Sequence, residues 1–488
     1  MLPRVPLRYY GLVLLYASIL LLPFLDNGTV LTRHEILAAE PAREILESDT
    51  PWAVQTFAGE LRTAKPPTMS WLIAIGMKVT GSRSEFICRL PAALAGILVA
   101  LGTAWIAARL LGPTAGLIAG LSTPTAYWIQ LQARLSQADI PMVAAVTAAM
   151  MALTYFVPRR NGTPEETPSI AKLSLWFYAA TGMAFLLKFV GIFVTIPAAI
   201  LYALWTRDTR VWRMLRHPLG LSVFLLFIVI WPTAAYLTYP NIINEWWQQT
   251  AGRSIGTLEG EDTNTLLGYL LQMPFYFWIT PVLLLPATPA VLIGAWAARR
   301  HVKSVTAKYL LAWVVPFFAL LTVIDWRHQH YVMSLLPPFM IVGAWGTVVW
   351  MRWLKRKHLA RPLLIAYFVG VGIAILVLQA LVLPRSDSHR AFAELAWRAN
   401  ELVPPRERVQ LIGLGENQTA YYLTRIPARI DEPENTPADQ TLYAICQKST
   451  LAELAKTRKT ELLAEAAPRR GRRDEGSEEK RLVLARVN

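Results

Sequence analysis

Residues 9–25, YYGLVLLYASILLLPFL, contain no charged side chain. Crossing about 30 Å of hydrocarbon takes about 20 mostly apolar residues, so this run reads as a membrane anchor. A polar loop follows, opening with Thr32-Arg33-His34-Glu35 and closing with Lys65-Pro66-Pro67, and the chain then returns repeatedly to apolar sequence. By the same criterion about eleven candidate spans lie near 9–25, 90–111, 113–131, 139–157, 173–187, 189–206, 218–239, 273–298, 309–324, 332–351 and 362–383. Composition agrees: of 488 residues 54% are hydrophobic and only 17% charged, with 18 tryptophans, which is the balance of a polytopic α-helical membrane protein. Arg4 and Arg8 before the first run would also suit a signal peptide, but Pro23-Phe24-Leu25-Asp26 is unlike a small-residue cleavage site. Cys88 and Cys446 offer neither a disulfide framework nor a thiolate metal cluster.

The net charge of +15 would suggest nucleic acid in a soluble protein. Here the cations follow topology. Arg4 and Arg8 precede the first span, and every second loop is basic: Arg159, Arg160 and Lys172, then Arg207, Arg210, Arg213 and Arg216, then Arg299, Arg300, Lys303 and Lys308, then Arg352 to Arg361. Cytoplasmic loops hold such excesses. The alternate segments, 26–89, 132–138, 240–272, 325–331 and 384–488, are therefore expected outside, with the protein in the plasma (inner) membrane.

These outward segments differ in character. Residues 35–48 and 69–79 have helical spacing but are too polar or too short to span, which suits interfacial helices. Segment 240–272 carries Trp246, Trp247 and Arg253, and segment 325–331 reads Asp325-Trp326-Arg327-His328-Gln329-His330-Tyr331. Residues 408–414 and 442–446 look like strands, 391–401 and 451–456 like helices, so 384–488 is expected to be a small soluble α/β domain beside a transmembrane domain 1–383. The charge run 469–480 reads as a solvated loop.

Six motifs in order resemble the GT-C superfamily of glycosyltransferases, in particular those related to lipid A aminoarabinose transferase and the protein O-mannosyltransferases. His34-Glu35 followed by Ala42-Arg43-Glu44 is similar to the first-loop motif, and Lys65-Pro66-Pro67 to its Lys-Pro-Pro segment. Arg89-Leu90-Pro91 resembles the start of the second span, and Arg134 to Asp139 the second acidic motif. Lys188 to Gly191 resembles a turn between spans, and Tyr331 to Pro337 a Tyr-to-Pro segment. The resemblance covers about residues 9–351. It implies a GT-C fold and transfer of a sugar from a polyprenyl-phosphate carrier to a lipid, glycan or protein acceptor, with inversion, on the outer face.

That chemistry needs a carboxylate near the acceptor as base or orienter, and cations or a divalent metal around the departing phosphate. The resemblance makes Glu35 and Asp139 the acidic candidates, with Lys65 and Arg253 for phosphate and Lys188, His330 and Tyr331 as further substrate contacts. His34 stands where the family has an aspartate, and Ala64 and Gln249 depart from its pattern too. Either the acidic role moves to Glu35 and Asp139, or donor or acceptor differs, or the chain is inactive. His34 itself can serve as a base or metal ligand at neutral pH.

Blander readings exist for each residue. Glu35 can cap a helix, Asp139 can pair with Arg134, Lys188 can snorkel, and His328, His330 and Tyr331 can form an interfacial belt. Arg89 reads as a structural anchor. Two other function classes remain open. A transporter or flippase would bury ionisable residues near mid-membrane, whereas these spans are nearly clean. A non-catalytic assembly protein would explain His34 but not the placement of Asp139, Lys65 and Arg253.

Overall fold

The computed structural model describes residues 6–27, 29–48, 52–63, 65–158, 167–247, 274–324, 327–354, 357–386, 389–437, 440–466 and 479–488. It divides into two compact units, each assembled from separated stretches of chain. The first holds residues 1–23, 64–68 and 90–376, and the second 24–63, 69–89 and 377–488.

The first unit is helical. In chain order its helices are α1 (Leu7–Leu21) and then, numbered after two helices of the second unit, α4 (Glu85–Leu111, whose first turn lies in the second unit), α5 (Pro113–Ser122), α6 (Tyr127–Gln132), α7 (Asp139–Leu153), α8 (Ile170–Leu187), α9 (Ile192–Thr206), α10 (Thr209–Leu215) and α11 (Pro218–Thr238). Helices Val305–Val323, Leu336–Trp353 and Ala360–Val377 follow. Among the described residues eight helices are long and apolar enough to cross a membrane, and a ninth is added if the bent pair Phe275–Leu283 and Thr288–His301 counts as one. The two remaining apolar runs are α1, 15 residues long, and 113–131, which breaks at a 3-10 turn over Thr123–Thr125. Proline explains both breaks. Pro124 sits in that turn, and Pro281 and Pro286 sit in or beside the bend of 118°. Their rings lack an N–H and clash with the preceding turn.

Helix α7 is the most enclosed candidate span, with 78% of its apolar window buried, while Pro218–Thr238 buries only 17%. Two buried tyrosines inside this apolar body end on backbone carbonyls, as its low dielectric favours. The Tyr309 hydroxyl donates to the Met150 carbonyl at 2.9 Å and the Tyr202 hydroxyl to Phe156 at 3.1 Å. Helices Thr288–Ala298 and Leu336–Trp353 cross with almost no side chain between them. A Cβ added at Gly346 would lie 1.9 Å from the Ala290 carbonyl oxygen, and one at Gly294 2.0 Å from that of Val342.

The second unit contains helices α2 (Arg33–Glu47) and α3 (Thr68–Thr80) of the first loop, with a hairpin of β1 (Gln55–Phe57) and β2 (Glu60–Arg62) between them. Ala58 and Gly59 form the two-residue turn at φ of 54° and 82°, the doubly positive combination that matches strand twist. Glu44 holds this turn, accepting from Ala58 N at 2.6 Å. Four charged side chains of α2 face protein: Glu35, Glu40, Arg43 and Glu44 are buried. Arg43 pairs with Glu40 and donates to the Leu423 carbonyl at 2.7 Å.

The C-terminal part of this unit carries helix Arg390–Leu402 and strands β3 (Val409–Ile412), β4 (Ala428–Ile430), β5 (Leu442–Gln447), β6 (Thr460–Glu465) and β7 (Leu482–Val487). They form one mixed sheet of order β4-β3-β5-β7-β6, with β3 parallel to β4 and β5, and β7 antiparallel to β5 and β6. Ile412, Ala444, Cys446, Val483 and Val487 form its core with Leu454 from helix Lys448–Leu454.

Candidate active site

Three helix ends in the first unit converge on one carboxylate. Asp139 is the first residue of α7, where unpaired backbone N–H groups favour negative charge. Lys188 sits in the gap between α8 and the turn Phe189–Gly191, at φ −161° and ψ 122°, so the helix is interrupted there. Its Nζ donates to Asp139 Oδ1 at 2.7 Å, with side-chain exposures of 18% and 9%. The same ammonium lies 5.4 Å from the Tyr331 ring centroid.

The third element is the 3-10 turn Gln329–Leu335. Its His330 ring stacks on His328 with centroids 5.1 Å apart and planes 14° from parallel, and Tyr331 meets both edge-on. The Tyr276 hydroxyl donates to the His328 carbonyl at 3.2 Å, tying this turn to helix Phe275–Leu283. Asp139 interacts electrostatically with Lys188, His330 and Lys65. Lys65 is exposed, and the segment that carries it is held to the end of α8 by the Thr68 hydroxyl, which donates to Leu186 O at 2.8 Å. Asp139, Lys188, Lys65, His330 and Tyr331, far apart in sequence, thus share one neighbourhood. Arg134 instead donates to the Pro23 carbonyl at 2.8 Å. The result is one carboxylate inside a group of cations, imidazoles and a phenol, suited to an anionic substrate with a reacting hydroxyl nearby.

Glu35 and His34 belong to the second unit. Glu35 closes a capping box at the start of α2, its Oε2 accepting from Thr32 N at 2.9 Å. Its Oε1 accepts from Arg89 Nε at 2.7 Å, and Arg89 also donates to the carbonyls of Leu25, Thr29 and Val30. Both carboxylate oxygens are therefore engaged and the side chain is buried, while His34 one residue earlier is exposed. Arg253 and the 469–478 part of the charge run lie outside the described residues, as do Asp325 and Trp326. No group of three or more His, Cys, Asp or Glu placed to hold a metal ion occurs among the described residues. The pair Glu35–Arg89 was legible from Thr32-x-x-Glu35 only in its capping half. The contacts of Tyr421 with Arg83 and of Tyr422 with Leu31 and Glu85 carry no local sequence signal.

The family described as dolichyl-phosphate-mannose-protein mannosyltransferase matches residues 64–236. The solved structure of ArnT from Cupriavidus metallidurans bound to undecaprenyl phosphate superposes with a TM-score of 0.78 at 18% identity, over 98% of each chain. This chain shares the fold of that structure. The archaeal oligosaccharyltransferase AglB from Archaeoglobus fulgidus, in complex with an inhibitory peptide and a dolichol-phosphate, is similar at a TM-score of 0.53 and 12% identity, covering 91% of this chain and 69% of its own. In sequence, the undecaprenyl phosphate-alpha-4-amino-4-deoxy-L-arabinose arabinosyl transferase 1 of Pseudomonas fluorescens (strain Pf0-1) is 27% identical over 357 residues, 71% of this chain. The chain spans 58% of the length of that relative and of its counterpart from strain Pf-5. The fold of a multi-pass membrane protein like ArnT, with a small C-terminal sheet region, is thus shown.

Proposed function

We propose that this chain is an integral membrane glycosyltransferase that moves a sugar from a polyprenyl-phosphate carrier to a lipid, glycan or protein acceptor. The observation that carries the reading is the Asp139–Lys188 pair with Lys65, His330 and Tyr331 grouped around it. In this reading the chain lies in the inner membrane with the site and the C-terminal region outside, as the alternation of basic loops supports.

For a hydroxyl acceptor, its oxygen attacks the anomeric carbon from the face opposite the phosphate. The carbon–oxygen bond to the phosphate breaks, the lipid phosphate leaves with the electron pair, and the configuration inverts. Lys188 and Lys65 take the charge that grows on the leaving phosphate. Asp139 fixes Lys188 in its extended gap and orients the acceptor. The acceptor proton goes to Asp139, the carboxylate of the same group, because Glu35 is committed to Thr32 and Arg89.

The donor named for the Pseudomonas relatives, undecaprenyl-phosphate-linked 4-amino-4-deoxy-L-arabinose, is the first probe. Proteoliposomes given this donor, or its hexosyl counterparts, with total lipid as acceptor should yield labelled product. Absence of covalent product with every donor, together with flux of donor lipid across the bilayer, would instead favour a flippase.

A further inference from the structure

Within the helical unit, the short helix α10 (Thr209–Leu215) joins α9 to α11 and is fixed at both ends. Val211, Met214 and Leu215, at i, i+3 and i+4, form a buried stripe. Two hydroxyls of α8 take its last carbonyls: Ser174 Oγ donates to Met214 O at 2.8 Å, and Tyr178 Oη to Leu215 O at 2.7 Å. Asp208 caps its start, accepting from Arg210 N at 2.9 Å.

The opposite side of α10 is cationic. Arg210, Arg213 and Arg216 follow at i, i+3 steps away from the buried stripe, Arg207 precedes them, and all four are exposed. Asp208 pairs with Arg210 at 2.7 Å, while among the described residues Arg207, Arg213 and Arg216 form no ion pair. Arg216 lies over the Trp212 ring, 5.4 Å from its centroid, which steadies a guanidinium whose N–H fork can still take an oxyanion. A separate loop adds a further cation: Lys308 Nζ donates to the Trp205 carbonyl at 3.1 Å, two residues before Arg207. Trp205 is 42% exposed at this end of α9. Helix α11 starts just after Arg216 and buries only 17% of its apolar window.

Topology explains an excess of cations in these loops, but it needs only their number. It does not require a connector pinned so that its arginines form a fixed surface, nor a lysine from another loop at the same span end. We propose that Arg207, Arg213, Arg216 and Lys308, with Trp205 beside them, bind the headgroup of an anionic phospholipid. Guanidinium forks match phosphate oxygens, the indole suits the interfacial layer, and the open face of α11 takes the acyl chains. These span ends lie at the membrane boundary, so the phosphate comes from the bilayer. The surface sits at the opposite end of α8 from Lys188 and goes beyond the transfer reaction.

The test follows thermal unfolding of the full chain in detergent with added cardiolipin, phosphatidylcholine or inorganic phosphate. Cardiolipin should raise the wild-type midpoint by about 2 °C or more, and the other two should leave it unchanged. The double variant Arg213→Gln with Arg216→Gln should need about tenfold more cardiolipin for the same shift, and Lys308→Gln alone about fivefold more. Arg299→Gln with Arg300→Gln, which removes the same charge from another basic loop, should respond as wild type does. Equal weakening in the two double variants would show diffuse attraction and overturn the proposal. No shift in wild type, a wild-type response in Lys308→Gln or in the Arg213 and Arg216 double variant, or an equal shift with inorganic phosphate overturns it too. Lys308→Gln keeps the test decisive if the α10 variant does not fold.

Discussion

Lys188 fills the break between α8 and α9 and gives its ammonium to Asp139, the first residue of α7, at 2.7 Å. Two charges this enclosed need each other, because removing one leaves the other desolvated and unpaired. Lys188→Met should therefore destabilise the helical unit by about 2 kcal/mol, below the usual cost of a fully buried pair because part of Lys188 is open to solvent. The double variant Lys188→Met with Asp139→Asn should recover part of that stability and none of the transfer. Thermal unfolding followed by tryptophan fluorescence, with initial rates in parallel, separates the two effects.

Glu35 and His34, neighbours in sequence, should contribute very differently to stability. Glu35→Ala removes a helix cap and strands the Arg89 guanidinium, which costs about 3 kcal/mol. His34→Ala, at an exposed position, should stay within about 0.5 kcal/mol of wild type. Chemical denaturation and rate measurements on the same preparations read both. A hundredfold rate loss in Glu35→Gln at normal stability would return the acid role to Glu35.

Two glycines should respond in opposite ways to alanine. At Gly346 a methyl meets the Ala290 carbonyl at 1.9 Å, so helices Thr288–Ala298 and Leu336–Trp353 must separate and about 3 kcal/mol is lost. Nothing lies within 4 Å of a Cβ at Gly370, in helix Ala360–Val377, so Gly370→Ala should be neutral or stabilising by up to about 1 kcal/mol. Midpoint temperatures of the two variants in detergent check the contrast.

Glu40 gives the second unit a pH-dependent stability. Burial pushes its carboxyl up to about 8 from 4.5, against the pull of Arg43, so it is largely neutral at pH 7. A folded-state value above the unfolded one means that the stabilising contribution is complete below about pH 4.5 and is lost as pH rises through about 8. The loss is on the order of a few kcal/mol. Glu40→Gln, neutral at every pH and close to the same shape, should flatten that dependence. Amide exchange at residues 58–59 and 421–423 between pH 5 and 9 measures it. Equal pH dependence in wild type and Glu40→Gln would contradict this account.

Much of the architecture could be read from local sequence because hydrocarbon imposes a length and a polarity on every span. The eleven apolar runs all correspond to helical segments, and the interruptions at Pro124 and Pro281 follow from proline itself. The capping role of Glu35 was readable from Thr32 three residues earlier. The hairpin 55–62 was not. Its strands are three residues long, and Ala58 at positive φ gives no sequence warning, since Glu44 from α2 stabilises the turn. Strands β6 and β7 flank a charge run that masks them, and they gain meaning only by pairing with β5. The pairing of Asp139 with Lys188 rather than the nearer Arg134 is likewise a product of packing. So are the contacts of Tyr422 with Leu31 and Glu85, whose partners stand hundreds of residues away.

The most direct test of the central claim is the transfer of radiolabelled 4-amino-4-deoxy-L-arabinose, or a hexose, from undecaprenyl phosphate by purified protein in proteoliposomes. Wild type, Asp139→Ala, Lys65→Ala and Lys188→Ala are compared at equal amounts of folded protein. The account predicts labelled product with wild type and a loss of at least about a hundredfold in Asp139→Ala, with smaller losses of about tenfold or more in the two lysine variants. Transfer by all three variants at the wild-type rate would contradict it.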